Sequence, residues 1–350
     1  MKFNLILILV FVGLFNVLNA QDERFSQFFA IPIHMNPALA GAYDGTYRMT
    51  VIHRDQWNNN LETPYKTFAA GGDTRFNLDF NSARKDHVGI GLFFTSDRVA
   101  EFQANTNKIS GYFAYHKKLT ERNPSFIGGG IKVGVIQKNI NYDNITFQDQ
   151  FNQINAFDNP TQETLPPNNI GFFDVSLGLN YFINVNKTAK YYVGFAAHHL
   201  TNPNVSLFAR LENPNPNLDL SETLESKYVF HMSMDRKLNI TTEIQPRIIY
   251  QKQGENNQLS IGSNVQHNFK DSNTGLVFGL WTSGKQDLES FHLESITPLL
   301  GVIQGAFIFG FSYDIPLTDT FSDPFGLNTF EFSIRFSGEH ENETTFCPTF

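Results

Sequence analysis

The stretch GFFDVSLGLNYF, residues 171–182, decides the fold class. Phe173, Val175, Leu177, Leu179 and Tyr181 fall on one parity, and Asp174, Ser176, Gly178 and Asn180 on the other. Successive side chains of a strand point to opposite faces, so this is a strand with one apolar and one polar surface. In AFIFGFSYDI, residues 306–315, Phe307, Phe309, Phe311 and Tyr313 oppose Gly310, Ser312 and Asp314 in the same way. In TFEFSIRF, residues 329–336, Phe330, Phe332, Ile334 and Phe336 oppose Glu331, Ser333 and Arg335.

A soluble β-sandwich also alternates, so the two faces have to be read for what they would touch. The polar parity carries Asp, Glu, Arg, Asn and many Gly, which suits a wet lumen. The chain holds 36 Phe and 12 Tyr, and an aromatic outer face suits lipid contact and interfacial girdles. The mean hydropathy of −0.26 is that of a soluble protein. A transmembrane barrel averages its two faces and gives the same modest value. The pattern favours a membrane barrel over a soluble all-β fold.

Working outward, fourteen segments read as strands: near 47–57, 66–76, 87–98, 107–119, 125–139, 171–184, 189–201, 227–239, 241–253, 257–269, 274–286, 291–303, 306–316 and 328–336. An even count puts both ends of a barrel on one side of the membrane. The connections after even-numbered strands are mostly short, whereas the longest, near 140–170 and 202–226, follow odd-numbered ones. Barrels of this type have short periplasmic turns and long outer loops, so both long connections fall outside. Pro246 interrupts one strand and cannot donate to a ladder, so a bulge is expected there.

The head of the chain is different. MKFNLILILVFVGLFNVLNA, residues 1–20, has one lysine, a short apolar core and a small exit residue. It reads as a secretory signal peptide cut after Ala20, with a membrane helix as the rival. Residues 21–46 then pack Phe25, Phe28 and Phe29 near Pro32 and Pro37, which bar regular structure. Such a segment needs a place out of water. A plug in the lumen or its periplasmic mouth is expected, with an exposed leader as the rival. The division is then 1–20 signal peptide, 21–46 plug or periplasmic segment, 47–336 barrel and 337–350 periplasmic tail.

No catalytic, cofactor or metal site is expected. One cysteine, Cys347, leaves no intramolecular disulfide, and a net charge of −8 argues against nucleic acid. There is no Walker A, HExxH, GxSxG or paired CxxC sequence. GGGIKVG, residues 128–134, lies within a strand, where glycines serve curvature. His198 and His199 are adjacent and so are expected on opposite faces, which disfavours a shared metal. Ser176, His198, Asp174 and Asp314 are no more than a wet lumen supplies. Asp143, Asp149 and Asp158 are spaced too widely for a compact calcium loop.

The segment QDERFSQFFAIPIHMNPALAG and the strand ending RDQW resemble the start of the PorP/SprF family of type IX secretion outer-membrane proteins. The matching positions are Gln21, Asp22, Phe25, Ser26, Gln27, Phe28, Asn36, Pro37, Ala38, Ala40, Gly41, Arg54, Gln56 and Trp57. FIFGFSYDIPLTD, FEFSIRF and the Cys347-Pro348-x-Phe350 end are similar to the family's close. His34-Met35 and the acidic run before Cys347 depart from it. The resemblance implies an outer-membrane barrel of Bacteroidetes type without enzymatic activity or cofactor. It implies service in secretion or cell-surface anchoring of a large adhesin-like cargo through that cargo's C-terminal domain. Other secretion components and the lipid bilayer are the remaining implied partners, and gliding motility is one implied setting. The family-motif residues Phe25, Ser26, Gln27, Phe28, Phe29, Asn36, Pro37, Ala38 and Gly41 are assigned to the plug. Phe147, Phe151, Phe157, Leu207, Phe208 and Leu211, in the outer loops, are the candidate cargo contacts. A plugged channel for small or hydrophobic molecules and a scaffold for periplasmic components are the rival functions.

Overall fold

The computed structural model describes residues 22–56, 64–78, 86–99, 104–142, 145–154, 156–186, 188–210, 221–286, 291–317 and 328–339. The leader, Trp57, Asp143, Leu211 and the Cys347 end lie outside these residues. The strands are β1 (Tyr47–Gln56), β2 (Tyr65–Leu78), β3 (Asp86–Val99), β4 (Ala104–Thr120) and β5 (Ser125–Ile140). They continue as β6 (Asn169–Val185), β7 (Ala189–His198), β8 (Lys227–Lys237), β9 (Thr242–Gln253) and β10 (Asn256–Asn268). The last four are β11 (Thr274–Gln286), β12 (Phe291–Gln304), β13 (Phe307–Pro316) and β14 (Thr329–Gly338). Each pairs antiparallel with its sequence neighbour, and β1 closes on β14. The fourteen strands are those read from period-two alternation, with ends moved by a few residues.

Alternation becomes inside and outside. On β6, Phe173 is 70% and Leu179 is 62% exposed, on the surface that meets lipid, while Asp174, Ser176 and Asn180 are buried inside. A closed sheet leaves no unpaired edge, the condition for strands in hydrocarbon. The connections 141–168 and 199–226 leave from the same end, here the long-loop end. The opposite, short-turn end carries tight links such as Gly305-Ala306, where Gly305 has φ +59°.

Pro246 makes no bulge. The β9–β10 register runs unbroken through Ser263↔Pro246. On the other side the ladder passes from Ser233↔Arg247 to Arg236↔Ile244 without a shift. Two rungs are absent and the register is kept, because the gap beside Pro246, which lacks a backbone donor, opens only the β8 side of β9 while the β10 side stays paired throughout. Register shifts lie instead between β11 and β12, at Ser283/Gly284, and between β4 and β5, at Lys118/Thr120.

Residues 22–46 lie inside the wall. They form a 3-10 turn at Phe28–Ala30, one helical turn at Pro32–Met35 and a second 3-10 turn at Pro37–Leu39. Pro32 and Pro37 each stand at the start of their turn, where the missing N–H is no loss. Asp22 lies beside Lys108 and Lys227, near the long-loop ends of β4 and β8. It leaves at the short-turn end, where Asp44 meets Lys190. The segment thus runs the length of the lumen before β1 begins.

A charge on the outer surface tests the assignment of faces. Leu179→Arg is expected to cost about 2–4 kcal/mol of folding stability in bilayers, read by urea titration in vesicles. An unchanged midpoint would place Leu179 away from lipid.

Candidate functional site

The motif Phe25-Ser26-Gln27 is read by β14, β13 and β1. Glu331, fully buried on β14, accepts from Ser26 N at 2.7 Å, Gln27 N at 2.8 Å and Arg54 Nη1 at 3.0 Å. Gln27 Nε2 donates to Ser312 Oγ and to Glu331 O, both at 3.0 Å, and Ser333 Oγ donates to Gln27 Oε1 at 2.6 Å. Ser26 Oγ donates to Asp314 Oδ2 at 2.5 Å. Every polar atom of the Gln27 amide is thereby engaged, as burial demands. Phe25 joins Ile31, Ile33 and Ala40 against the inward-facing Ile52, Ala69 and Phe93. Phe28 and Phe29 turn to the far wall, with ring centroids 5.1 and 5.2 Å from Trp281.

Asn36-Pro37-Ala38 has its own seat. Asn36 Oδ1 accepts from Ala38 N at 2.9 Å, while its Nδ2 donates to Leu179 O at 3.0 Å and lies 3.0 Å from His231 Nε2. The wall beneath is glycine by necessity. A Cβ on Gly130 would stand 2.5 Å from Ala38 N, and one on Gly178 would stand 2.0 Å from Asn36 Oδ1. The Gly128–Gly134 run therefore contains a position demanded by close approach, beyond the curvature expected of strand glycines. Gly41, at φ +71°, donates to Asp73 Oδ2 at 2.8 Å, and the same carboxylate takes Arg48 Nε and Nη2, both at 2.9 Å.

Near the long-loop end the first residues enter a charge cluster. Lys108 Nζ is 2.8 Å from Asp22 and 2.5 Å from Glu23, and Lys132 Nζ is 2.7 Å from Asp174. His199 bridges the groups, with Nε2 2.5 Å from Asp22 Oδ2 and Nδ1 3.0 Å from Asp174 Oδ1. The expected opposition of His198 and His199 is overturned. β7 ends at His198, and His199 has φ +58°, which swings its ring back inward. His198 Nε2 lies 3.1 Å from Met35 O, so both imidazoles hold the segment. Burial pushes the Asp22 carboxyl up, but Lys108 and His199 more than offset this and hold it well below the carboxylate range. Burial pulls His199 down, and the Asp22 and Asp174 carboxylates outweigh it and raise it above the ordinary imidazole value.

The candidates in the long loops separate. Phe151 and Phe157, 40% and 51% exposed, face each other at 5.2 Å across an isolated bridge, with Phe147 half-buried nearby in sequence. Phe208 is exposed, whereas Leu207 packs against the cluster of Ile136, Ile170, Phe172, Val205 and Leu224. Ile154, unmarked by alternation or motif, is 83% exposed at the tip of the Phe151–Phe157 turn. Trp281 and Lys108 escape sequence reading, and Glu331 and His199 are not singled out as partners of the segment, because each looks like any other residue of a polar wall or strand end.

Two tests follow from this geometry. Removing one partner of a buried ion pair costs about 3–5 kcal/mol, so Glu331→Ala should release the segment and let trypsin cut after Arg24 in a barrel that stays heat-modifiable on gels. Protection equal to wild type would refute the anchor. Asp22, depressed when folded, adds stability above its unfolded value of about 3.9 and loses it as pH falls through the lower folded value. His199, raised when folded, adds stability fully below about 6.5 and loses it as pH rises through the higher folded value. Hydrogen exchange at residues 22–27, corrected for intrinsic rate, should therefore quicken between pH 6 and pH 9, and His199→Gln should flatten that rise.

Comparison with solved structures finds outer-membrane barrels. A Pseudomonas aeruginosa FadL homologue aligns with a TM-score of 0.51 at 9% identity, over 86% of this chain and 92% of that one. The toluene transporter TbuX of Ralstonia pickettii aligns with a TM-score of 0.45 at 11% identity, over 88% and 93%. The toluene transporter TodX of Pseudomonas putida gives 0.46 at 8%, over 91% and 93%. Comparison with curated protein sequences gives no match. The family described as type IX secretion system membrane protein PorP/SprF matches residues 17–336. An outer-membrane barrel over nearly its whole length, the chain belongs to the PorP/SprF family of the type IX secretion system.

Proposed function

We propose that this barrel holds a specific secreted cargo, adhesin-like and recognised through its C-terminal domain, at the cell surface. In this reading the long-loop end faces outward and residues 22–46 act as a plug. The carrying observation is the Phe151, Ile154 and Phe157 patch, three large apolar side chains on the tip of one loop, with Phe208 on the other. Soluble surfaces seldom expose apolar residues in clusters, and such a cluster marks a contact for another protein. The barrel performs no catalysis in this reading, and its contribution is binding.

The rival, a channel for small molecules, needs a path through the lumen. The segment's buried contacts at the long-loop end, including Asp22 with Lys108 and His199, support the anchoring reading over a conduit. The space beside those residues is about 20 Å³, room for one water at most. The triple variant Phe151→Ser, Ile154→Ser, Phe157→Ser should reduce surface-retained cargo at least tenfold in cells, with barrel abundance unchanged. Full retention would overturn the loop assignment, and ion conductance of the wild type in planar bilayers would favour the channel.

A further inference from the structure

The short-turn half of the lumen is not filled. A cavity of about 1040 Å³ lies between the segment and β8, β9 and β14, and its lining reaches the turn at Glu121–Pro124. One wall is apolar: Phe28, Phe29, Pro32 and Met35 are half-buried and line it. Arg247 and Arg335 line it too, from β9 and β14.

These two guanidiniums have unspent donors. Arg247 Nη2 donates to Asp235 at 3.1 Å and to Gln245 at 3.2 Å, but its buried Nη1 has no hydrogen-bond partner. The Arg335 side chain makes no hydrogen bond or ion pair among the described residues. Of the acids that line the cavity, Asp44 pairs with Lys190, Glu121 with Lys118 and Asp235 with Arg247, while Glu243 accepts from Gln245 Nε2 and, like Asp235, offsets part of the Arg335 charge without contacting it. Arg247 also sits 5.5 Å over the Phe29 ring, so cation and apolar wall adjoin. A solvated guanidinium alone requires no ligand. Two with free donors, beside four apolar residues, in a space at the top of the roughly 300–1,000 Å³ range of small-molecule sites, describe one.

We propose that this cavity binds an amphiphilic anion, its carboxylate or phosphate head between Arg247 and Arg335 and its apolar tail on Phe28, Phe29, Pro32 and Met35. The site goes beyond cargo anchoring and does not depend on it, since the loop patch and the cavity lie at opposite ends of the barrel. Entry is from the short-turn end, because residues 22–27 occupy the other.

Trp281, stacked on Phe29, is a reporter beside the cavity. With Trp57, the other of the two tryptophans, replaced by Phe, the full-length barrel in phosphatidylcholine nanodiscs is titrated with 12-bromododecanoate. Saturable quenching is expected, with none from 12-bromododecanol at the same membrane concentration. The variant Arg247→Gln, Arg335→Gln should raise half-saturation at least tenfold, and Arg335→Lys should lose less. Competition by dodecyl phosphate assigns a phosphate head, and competition by dodecanoate alone a carboxylate head; either supports the site. Equal quenching by the alcohol, an unaltered titration in the folded double variant, or competition by neither anion overturns it. Should the double variant fail to fold, the acid–alcohol comparison on the wild-type cavity still decides.

Discussion

Closure of β1 onto β14 is the constraint on which the rest of the molecule depends. Ten residue pairs join these strands, from Tyr47↔Gly338 to Gln56↔Thr329, and without them two edges would face hydrocarbon with unpaired donors and acceptors. The luminal segment is fastened across this seam. Ser26 and Gln27 bond to Glu331 on β14, and Arg54 on β1 bonds to the same carboxylate and to Arg24 O. Segment and seam therefore stabilise each other.

The polar interior follows from the same constraint. A closed wall presents a row of inward side chains on every strand, and the chain sets its own residues 22–43 against them. The segment consists of short turns, so many of its N–H and C=O groups lack regular partners, and the wall supplies them: Thr50 Oγ1 donates to Ala30 O, and His116 Nε2 meets Ala40 O. Buried ion pairs such as Arg48–Asp73 add little net stability, since desolvation offsets much of the attraction. They fix where the segment sits, because any displaced arrangement would strand a charge.

The strands were legible because period two needs only local sequence. Each outward Phe or Leu on β6 and β13 announces its face without knowledge of any partner. The segment announced its aromatics and its breaks at Pro32 and Pro37, but not its path. That path is set by pairs such as Ser26–Glu331, some three hundred positions apart, and by lysines that are ordinary lumen residues until Asp22 arrives. His199 misled because alternation was carried one residue past the strand's end. Pro246 misled because a proline was read as a change of register, whereas the wall tolerated two absent rungs. Ile154 had no periodic context at all. In the candidate site, residue types were readable and their juxtapositions were not.

The position of Glu331 on the last strand has a consequence for assembly. Residues 25–27 precede every strand, yet the pocket that receives them is built by β13 and β14, the final hairpin of the chain. No partly built sheet offers that pocket, so the head of the protein has no complete seat until its tail strand has arrived. Seating of the segment thus reports that the ring is finished, and a barrel missing its last hairpin would be distinguishable from a whole one by its unseated N-terminal segment.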